Sequence, residues 1–337
     1  MARSATPGGT RARESFPSGG GGFGFAKVRQ RLASLAILAI FVLLVIVLLA
    51  TTPAFGNWGN IANVLQQNSI IGIVACGMLL MIIVGGFDLS VGAVGAMSSV
   101  VAAVLIVNTN PALGILVALA VGAVVGLLNG FCIAVIGMNP FVVTLGTQVL
   151  VTGLLFVATE AQPVYGVPES FTQIGLGRIG PLPIATAIFI VVALLVFALL
   201  TFTKFGQYIY AVGGNKDAAR LAGVNVTLVI IVTYVIGAVL AAVAGIVLLG
   251  QTGIGQPNSA TGWPLSSIAA VVVGGVPLAG GVGKVSSAVL GTLLLGVVAN
   301  ALNLNGVSPY WQPAVTGIVI LLAVGVDSYQ RKRRQLR

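Results

Sequence analysis

One polar stretch organises this chain: Gly213-Gly214-Asn215-Lys216-Asp217-Ala218-Ala219-Arg220-Leu221-Ala222-Gly223. It predicts a short helix, because Asn215 can cap the first turn and Gly223 can end the helix. Asp217 and Arg220 carry the charges that the two ends of a helix dipole favour. Isolated helices need roughly 12–15 residues to be stable in water. This helix is therefore expected to dock on something else.

Composition indicates that most of the chain lies in a membrane. Of 337 residues, 58% are hydrophobic and 7% are charged, whereas a soluble domain carries about 25% charged residues. The 46 glycines suit close packing of helices in lipid. The sequence has no histidine, which disfavours metal binding and His-based acid–base catalysis. Cys76 and Cys132 lie in apolar runs and are expected to be buried thiols rather than a disulfide.

Apolar segments that approach the length needed to cross a bilayer, about 20 residues, recur along the chain. Ten are predicted, at residues 32–50, 61–84, 89–107, 112–136, 140–159, 184–203, 226–249, 266–280, 286–303 and 312–326. The eighth is short and has Gly274, Gly275 and Pro277 near its end, so it is expected to be broken or re-entrant. The first could instead be a signal peptide, but its apolar run exceeds the usual length of about 7–15 residues. The predicted fold is an all-α, polytopic membrane protein with about ten transmembrane helices.

The positions of Lys and Arg predict the orientation. With the N-terminus inside and ten crossings, fifteen of the sixteen basic residues fall inside and only Arg178 falls outside. Both termini are then cytoplasmic, and the charge of the N-terminal tail serves topology rather than nucleic-acid binding. The predicted parts are a disordered basic tail (1–31), a transmembrane domain (32–327) with a cytoplasmic loop (204–225) and a periplasmic loop (160–183), and a basic C-terminal tail (328–337).

The sequence contains no complete motif for catalysis. Gly283-Lys284 resembles the end of a phosphate-binding loop, but Leu278 and Val285 replace the Gly and the Ser or Thr that such a loop requires. No pattern pairs a nucleophile with a base. We therefore expect no enzymatic activity and no cofactor in this chain.

Asp88 is the one acidic residue expected near membrane depth before the C-terminal boundary. Gly85 and Gly86 break the preceding helix, and Asp88 can cap the next one. Capping and direct contact with a transported solute are both open for this side chain. Ion coupling is disfavoured, because a relay needs charged partners in neighbouring spans.

The other intramembrane polar side chains are uncharged, and they are Gln66, Gln67, Asn68, Asn129, Asn139, Thr144, Thr147, Gln148, Asn300 and Asn303. Amides and hydroxyls suit a neutral, hydroxyl-rich solute better than an ion. For any single residue, hydrogen bonding between helices is the simpler interpretation. The residues predicted to line a translocation path are Asp88, Ser90, Asn68, Asn139, Phe141, Thr144 and Asn300.

Five motifs in order carry a family resemblance. They are Gly85-Gly86-Phe87-Asp88-Leu89-Ser90-Val91-Gly92, Asn139-Pro140-Phe141-Val142-Val143-Thr144-Leu145-Gly146-Thr147, the stretch from Gly213 to Val224, Ile268-Ala269-Ala270-Val271-Val272-Val273-Gly274-Gly275 with Gly280-Gly281-Val282-Gly283, and Asn303-Leu304-Asn305-Gly306-Val307. Together they resemble the permease subunits of ribose-type bacterial ABC importers, a branch that handles monosaccharides and autoinducer-2. Phe87 stands where this family commonly has Ile, and Pro277 and Ala279 stand where it often has Ser.

The resemblance implies a division of labour in the bacterial inner membrane. Two permease chains, identical or different, would form the path. A separate ATPase would bind the cytoplasmic face and hydrolyse ATP with Mg²⁺, and a periplasmic or lipid-anchored binding protein would deliver the sugar. The residues implied in coupling to the ATPase are Gly213, Gly214, Asn215, Asp217, Ala218, Ala219, Arg220, Leu221 and Gly223.

The expected function is thus that of a monosaccharide permease subunit, with a ribose-like sugar as first choice. The alternative is a self-sufficient secondary transporter or channel for a small neutral solute. The short helix could also lie on the membrane surface, but its apolar face of Ala218, Leu221 and Ala222 is small, which favours a protein partner.

Overall fold

The computed structural model of the chain describes residues 22–311, 313–315, 317, 318, 321 and 325. They form a bundle whose α-helices are α1 (Gly22–Thr51), α2 (Trp58–Ile83), α3 (Val91–Asn108), α4 (Pro111–Ala134), α5 (Pro140–Thr159), α6 (Glu169–Leu176), α7 (Ile184–Phe202), α8 (Lys204–Gly214), α9 (Lys216–Leu221), α10 (Val226–Thr252), α11 (Trp263–Val273) and α12 (Val285–Leu304). Two strands, β1 (Arg178–Ile179) and β2 (Leu182–Pro183), pair antiparallel, and a 3₁₀ turn covers Pro309–Trp311.

Seven helices in the described part of the chain are long and apolar enough to cross a membrane, and they are α2, α3, α4, α5, α7, α10 and α12. Shorter apolar helices lie at Ile37–Thr51, within α1, and at α11. The chain is therefore a polytopic, mostly helical membrane protein. The count of ten spans stays a prediction, since the tenth segment (312–326) lies largely outside the described residues, as do the C-terminal tail (328–337) and residues 1–21.

Two predicted loops and part of a predicted tail are more ordered than the sequence indicated. α1 begins at Gly22, so residues 22–31 continue the first apolar helix, because no proline interrupts them. The loop 160–183 contains α6 and the β1–β2 hairpin, which is the one departure from an all-α fold among the described residues. The loop 204–225 contains two helices, α8 and α9, rather than one.

α2 is the central helix of the bundle. Every residue from Gly72 to Ile83 is buried. Neighbours surround this helix on several sides, and they include α7, α10, α11 and α12. Because α2 contains no charged residue, it can be enclosed on all sides without burying an unpaired charge.

Glycines set the spacing between α4 and α10. Gly122, Gly126 and Gly130 recur at every fourth residue and so share one face of α4. A Cβ atom added at any of them would collide with residues 231–242 of α10. In lipid, close backbone approach of this kind is a main source of helix association, because hydrophobic burial contributes little between helices.

The loops gather at two ends of the bundle. At the end that carries α9, Gly281 N donates to Ile83 O at 2.8 Å, and Gly213 lies against the same carbonyl. At the opposite end, which carries α6, Val164 and Gly255 exchange backbone hydrogen bonds of 2.9 Å. The structure thus brings the predicted cytoplasmic loop 204–225 to the α9 end and the predicted periplasmic loop 160–183 to the α6 end.

The eighth predicted span, residues 266–280, is interrupted as expected. α11 has eleven residues and is about 16 Å long, which is too short for a hydrocarbon core of about 30 Å. The chain before it, residues 253–262, returns from the α6 end into the bundle alongside α3, with Gly255 beside Val100 and Ala260 beside Gly92. After α11 the chain turns at Gly275, whose φ of 91° favours glycine.

Candidate functional site

α9 has the end signals that the sequence predicts. The Asn215 side chain accepts hydrogen bonds from Asp217 N and Ala218 N, both at 2.9 Å. Arg220 forms a salt bridge of 3.5 Å with Asp217 one turn earlier. Gly223 follows with a φ of 83°. These three features are local, and the helix they delimit is Lys216–Leu221.

The two faces of α9 differ sharply. Ala219 is 5% exposed and belongs to the core, which places it against the bundle. Leu221 is 90% exposed, and Ala218 and Ala222 are also exposed. Of the residues predicted to contact an ATPase, Ala219 is therefore turned away from any partner, whereas Leu221 projects from the protein.

Gly213 and Gly214 do not belong to this short helix, because they end α8. A Cβ atom at Gly213 would collide with Ile83 O at the end of the central helix. Tyr210, also in α8, donates from its hydroxyl to Gly283 O at 2.8 Å. Burial raises the pKa of Tyr210 above its ordinary value, which keeps the hydroxyl proton in place for this bond. The base of α9 is thus joined directly to α2 and to the loop before α12.

A buried polar cluster surrounds Asp88. Its Oδ1 accepts from Ser90 N at 2.6 Å and from Ser90 Oγ at 2.5 Å, and its Oδ2 accepts from Asn129 Nδ2 at 3.3 Å. Asn129 Nδ2 also donates to Ser90 Oγ at 3.0 Å, and Thr147 Oγ1 donates to Asn129 Oδ1 at 2.7 Å. We call Asp88, Ser90, Asn129 and Thr147 the Asp88 cluster. It joins the start of α3 to α4 and α5.

The Asp88 cluster lies inside the bundle. Asn129 is about 8 Å from the end of α4, and Thr147 is about 10 Å from the start of α5. The segment 85–88, between the second and third predicted spans, therefore folds back into the protein after Gly85, whose φ is 92°. Asp88 bonds to Ser90, before the first turn of α3, and Ser90 is the residue at the cap position. The carboxylate lies near the positive end of the α3 dipole.

The remaining residues predicted for the path fall into two places. Asn139 caps α5 by accepting from Phe141 N at 2.9 Å, Phe141 packs edge-on against Phe87, and Thr144 donates to Pro140 O at 2.8 Å. These three residues lie near the Asp88 cluster. Asn300 is far from it, since it exchanges hydrogen bonds of 3.0 and 2.8 Å with Asn60 at the α6 end.

Asn68 lies neither near the Asp88 cluster nor in the Asn60–Asn300 pair. Its Nδ2 donates to Val64 O at 2.7 Å within α2, and its amide lies against Gly296 of α12. The predicted path residues therefore do not form one continuous set. The sequence predicts Asn129 and Thr147 to be intramembrane polar residues but does not place them on the path. The glycine spacing in α4 could have identified Asn129, because it lies next to Gly130 on the packed face.

The Asp88 cluster is chemically closed. Three donors satisfy one carboxylate, and no group of three or more metal-binding side chains occurs in the residues that the structure describes. Buried polar networks with every member bonded rigidify a core. This arrangement can hold three helices in register, and it exposes no reactive atom.

Comparison with known proteins identifies the family. Residues 60–324 match the family described as "Branched-chain amino acid transport system / permease component". The chain belongs to this family of transport permeases. The resemblance to importer permeases that the motifs indicated is thereby confirmed, and the chain is a multi-pass protein of the cell membrane.

Individual relatives extend the match over most of the chain. The ribose import permease protein RbsC of Escherichia coli K12 is 41% identical over 284 residues, which cover 82% of this chain and 88% of that protein. The L-arabinose transport system permease protein AraH of the same strain is 39% identical over 285 residues, covering 84% and 87%. The galactose/methyl galactoside import permease protein MglC of Haemophilus influenzae is 35% identical over 308 residues, covering 86% and 92%. No solved structure matches the chain.

Proposed function

We propose that this chain is the membrane-spanning permease subunit of an ATP-driven importer and forms the path for a monosaccharide, with a ribose-like sugar as the first substrate to test. Its relatives are import permeases for ribose, arabinose and galactose. The polar side chains found between its helices are mainly amides and hydroxyls, which suit a neutral sugar. The sugar would arrive on a separate binding protein, and a second permease chain would complete the path.

α9 is the observation that carries the energy-coupling part of this proposal. A leucine that is 90% exposed on a six-residue helix has no partner within the described chain, and burial of such a side chain contributes about 1.5–3 kcal/mol. The other face of the helix packs against the bundle through Ala219, and α8, which precedes it, contacts Ile83 at the end of α2 through Gly213. An ATPase that binds Leu221 would therefore move α8 and α9, which already contact the central helix α2.

We place the α9 end in the cytoplasm. Lys204, Lys216, Arg220 and Lys284 lie at this end, whereas Arg178 lies in the hairpin at the α6 end. Basic residues concentrate on the cytoplasmic side of membrane proteins. This orientation, with both termini inside, presents α9 to a cytoplasmic ATPase that holds ATP and Mg²⁺. It presents α6 and the hairpin to a periplasmic sugar-binding protein.

The decisive experiment is reconstitution. We expect proteoliposomes that contain this chain, its ATPase and its binding protein to accumulate labelled D-ribose only when ATP is on the ATPase side. Uptake by this chain alone, driven by an ion gradient, would overturn the proposal in favour of a self-sufficient transporter. Uptake of the other sugars named for the relatives would retain the proposal and change the substrate.

A substitution tests the docking surface separately. Leu221→Asp is expected to weaken recovery of the ATPase with the purified chain by at least about tenfold, because a central apolar anchor commonly contributes more than 1.4 kcal/mol. The matched control is Leu176→Asp, since Leu176 is 51% exposed at the opposite end. Equal ATPase recovery for both variants would remove Leu221 from the interface.

A further inference from the structure

A cavity of about 130 Å³, partly open to its surroundings, lies where α2, α11 and α12 meet. Its walls include Asn68 and Ile71 of α2, Ser266 of α11, Thr292 and Leu295 of α12, and Val315. An engineered protein cavity of about 150 Å³ admits benzene, so this space holds one ring-sized molecule or several waters. It is separate from the Asp88 cluster, none of whose residues lines it.

Three polar side chains line this cavity with hydrogen-bonding capacity to spare. Asn68 Nδ2 donates a hydrogen bond to Val64 O, but no donor in the described chain reaches Asn68 Oδ1. Ser266 Oγ has no hydrogen-bond partner among the described residues, although the next residue, Ser267, donates to Pro264 O at 3.0 Å. Thr292 Oγ1 donates to Ala288 O at 2.8 Å, which leaves its lone pairs free to accept.

Gly296 fixes the position of the Asn68 amide. A Cβ atom at residue 296 would overlap the Cγ, Oδ1 and Nδ2 atoms of Asn68, so the amide plane rests directly on the α12 backbone. The side chain is also held by its bond to Val64 O. Asn68 is therefore an oriented group with a free acceptor, and such preorganisation reduces the entropic cost of binding.

The chemistry of the walls defines the ligand. No charged residue lines the cavity, so an ion entering it would lose hydration without compensation. A lipid chain would leave the polar groups of Asn68 and Ser266 unpaired. A molecule that has hydroxyls on its rim and C–H faces between them would satisfy the polar groups and also contact Ile71 and Leu295.

We propose that this cavity is a binding station on the translocation path for one small, neutral solute that bears several hydroxyl groups. Asn68 and Ser266 would hydrogen-bond the solute, and Thr292 would accept from it. This inference rests on the proposed function, because it treats such a solute as the transported one. It assigns the selective contacts of the permease to the α2–α11–α12 junction and not to the Asp88 cluster.

Matched hydroxyl deletions test this station in the complete reconstituted assembly. We expect Ser266→Ala and Thr292→Val each to lower the maximal rate of D-ribose uptake about fivefold, the effect of one lost hydrogen bond. The controls are Ser267→Ala and Thr233→Val, because these hydroxyls are buried, donate within their own helices and do not line the cavity. ATP hydrolysis stimulated by the loaded binding protein is expected to stay unchanged in all four variants, so sugar moved per ATP falls only in the first two.

A chemical measurement tests the cavity without transport. Ser266→Cys in the purified full chain is expected to react with a small water-soluble thiol reagent, above the background of the native thiols, and D-ribose is expected to slow that reaction. Ser267→Cys is expected to stay at background because Ser267 is buried and does not line the cavity. Modification of Ser266→Cys that is slowed neither by D-ribose nor by any other sugar that the assembly transports would overturn the station.

The outcomes separate the two proposals. If the unmodified assembly transports sugar but the cavity variants match their controls, the station is wrong and the proposed function stands. If the unmodified assembly transports no sugar, the proposed function is wrong, and the station on a transport path is wrong with it. Protection of Ser266→Cys by D-ribose would then retain the cavity only as a binding site for a hydroxyl-bearing solute, and lack of protection would remove that as well.

Discussion

Two polar regions inside this bundle use their hydrogen bonds in different ways. In the Asp88 cluster the carboxylate of Asp88 accepts three hydrogen bonds, and the amide of Asn129 both donates and accepts. At the α2–α11–α12 cavity, Asn68 Oδ1 and Ser266 Oγ have no partner within the part of the chain that the structure describes. One region is closed by its own side chains, and the other has capacity for a ligand.

The difference separates two roles that the sequence could not distinguish. A satisfied buried network stabilises one packing arrangement, since any displacement leaves a donor or an acceptor unpaired. Polar atoms that are unpaired and border a space are available to a solute. We therefore assign the Asp88 cluster to holding α3, α4 and α5 together, and the cavity to contact with the transported molecule.

The largest expected effect comes from removing the centre of the closed region. Asp88→Leu leaves Ser90 N and Ser90 Oγ without their acceptor and removes one of the two acceptors of Asn129 Nδ2, and each buried unpaired group costs about 1–3 kcal/mol. We expect a loss of about 3 kcal/mol or more in the free energy of unfolding. Thermal unfolding of the purified chain in detergent would report this loss as a lower Tm.

The matched control for this prediction is Asp217→Leu. Asp217 is exposed and forms only a surface salt bridge, so its loss is expected to change the stability by less than about 1 kcal/mol. If Asp88→Leu does not yield folded protein, Asp88→Asn keeps the shape and should show a smaller fall in Tm. A Tm equal to that of the unmodified chain in either Asp88 variant would contradict a structural role.

A smaller effect is expected at the edge of the same region. Thr147→Val removes the donor to Asn129 Oδ1 and leaves that buried oxygen unpaired, at a cost of about 1–2 kcal/mol. Thr144→Val, on the same helix, removes a hydroxyl that donates to Pro140 O of its own helix, and should cost less than about 0.5 kcal/mol. Unfolding of both variants in detergent gives the comparison. Equal losses would mean that Thr147 contributes packing only.

Local features of this protein could be predicted from the sequence. The cap by Asn215, the charges of Asp217 and Arg220, and the end at Gly223 depend on residues within one or two helical turns. The interruption after Val273 follows from neighbouring glycines and a proline. The loops could be assigned to two ends because spans alternate in direction and basic residues mark one side.

The site could not be predicted because its contacts join distant parts of the chain. Asn129 meets Asp88 across 41 residues and Thr147 across 18, and no local pattern encodes either pairing. The sequence places Asn68 and Asn300 in one path, but Asn68 hydrogen-bonds within α2 and Asn300 hydrogen-bonds Asn60. Within loop 204–225, the sequence does not predict α8, because glycines occupy three of its eleven positions, although Thr203 caps it by accepting from Gly206 N at 3.0 Å.

The smallest expected effect lies beside the open region. Gly296→Ala places a Cβ atom where the Asn68 amide rests, so the amide must shift away from α12, at a cost of about 1 kcal/mol. Gly153→Ala is the matched control, because no atom lies within 4 Å of the added Cβ and alanine is the better helix former, by up to about 1 kcal/mol. We therefore expect Tm to fall for the first variant and to stay or rise for the second. If Gly296→Ala lowered stability as much as Asp88→Leu, the cavity wall would be as rigid a part of the scaffold as the Asp88 cluster, and the division between a closed and an open region would fail. A rise in Tm for both variants would show instead that the Asn68 amide moves freely and is not preorganised by α12.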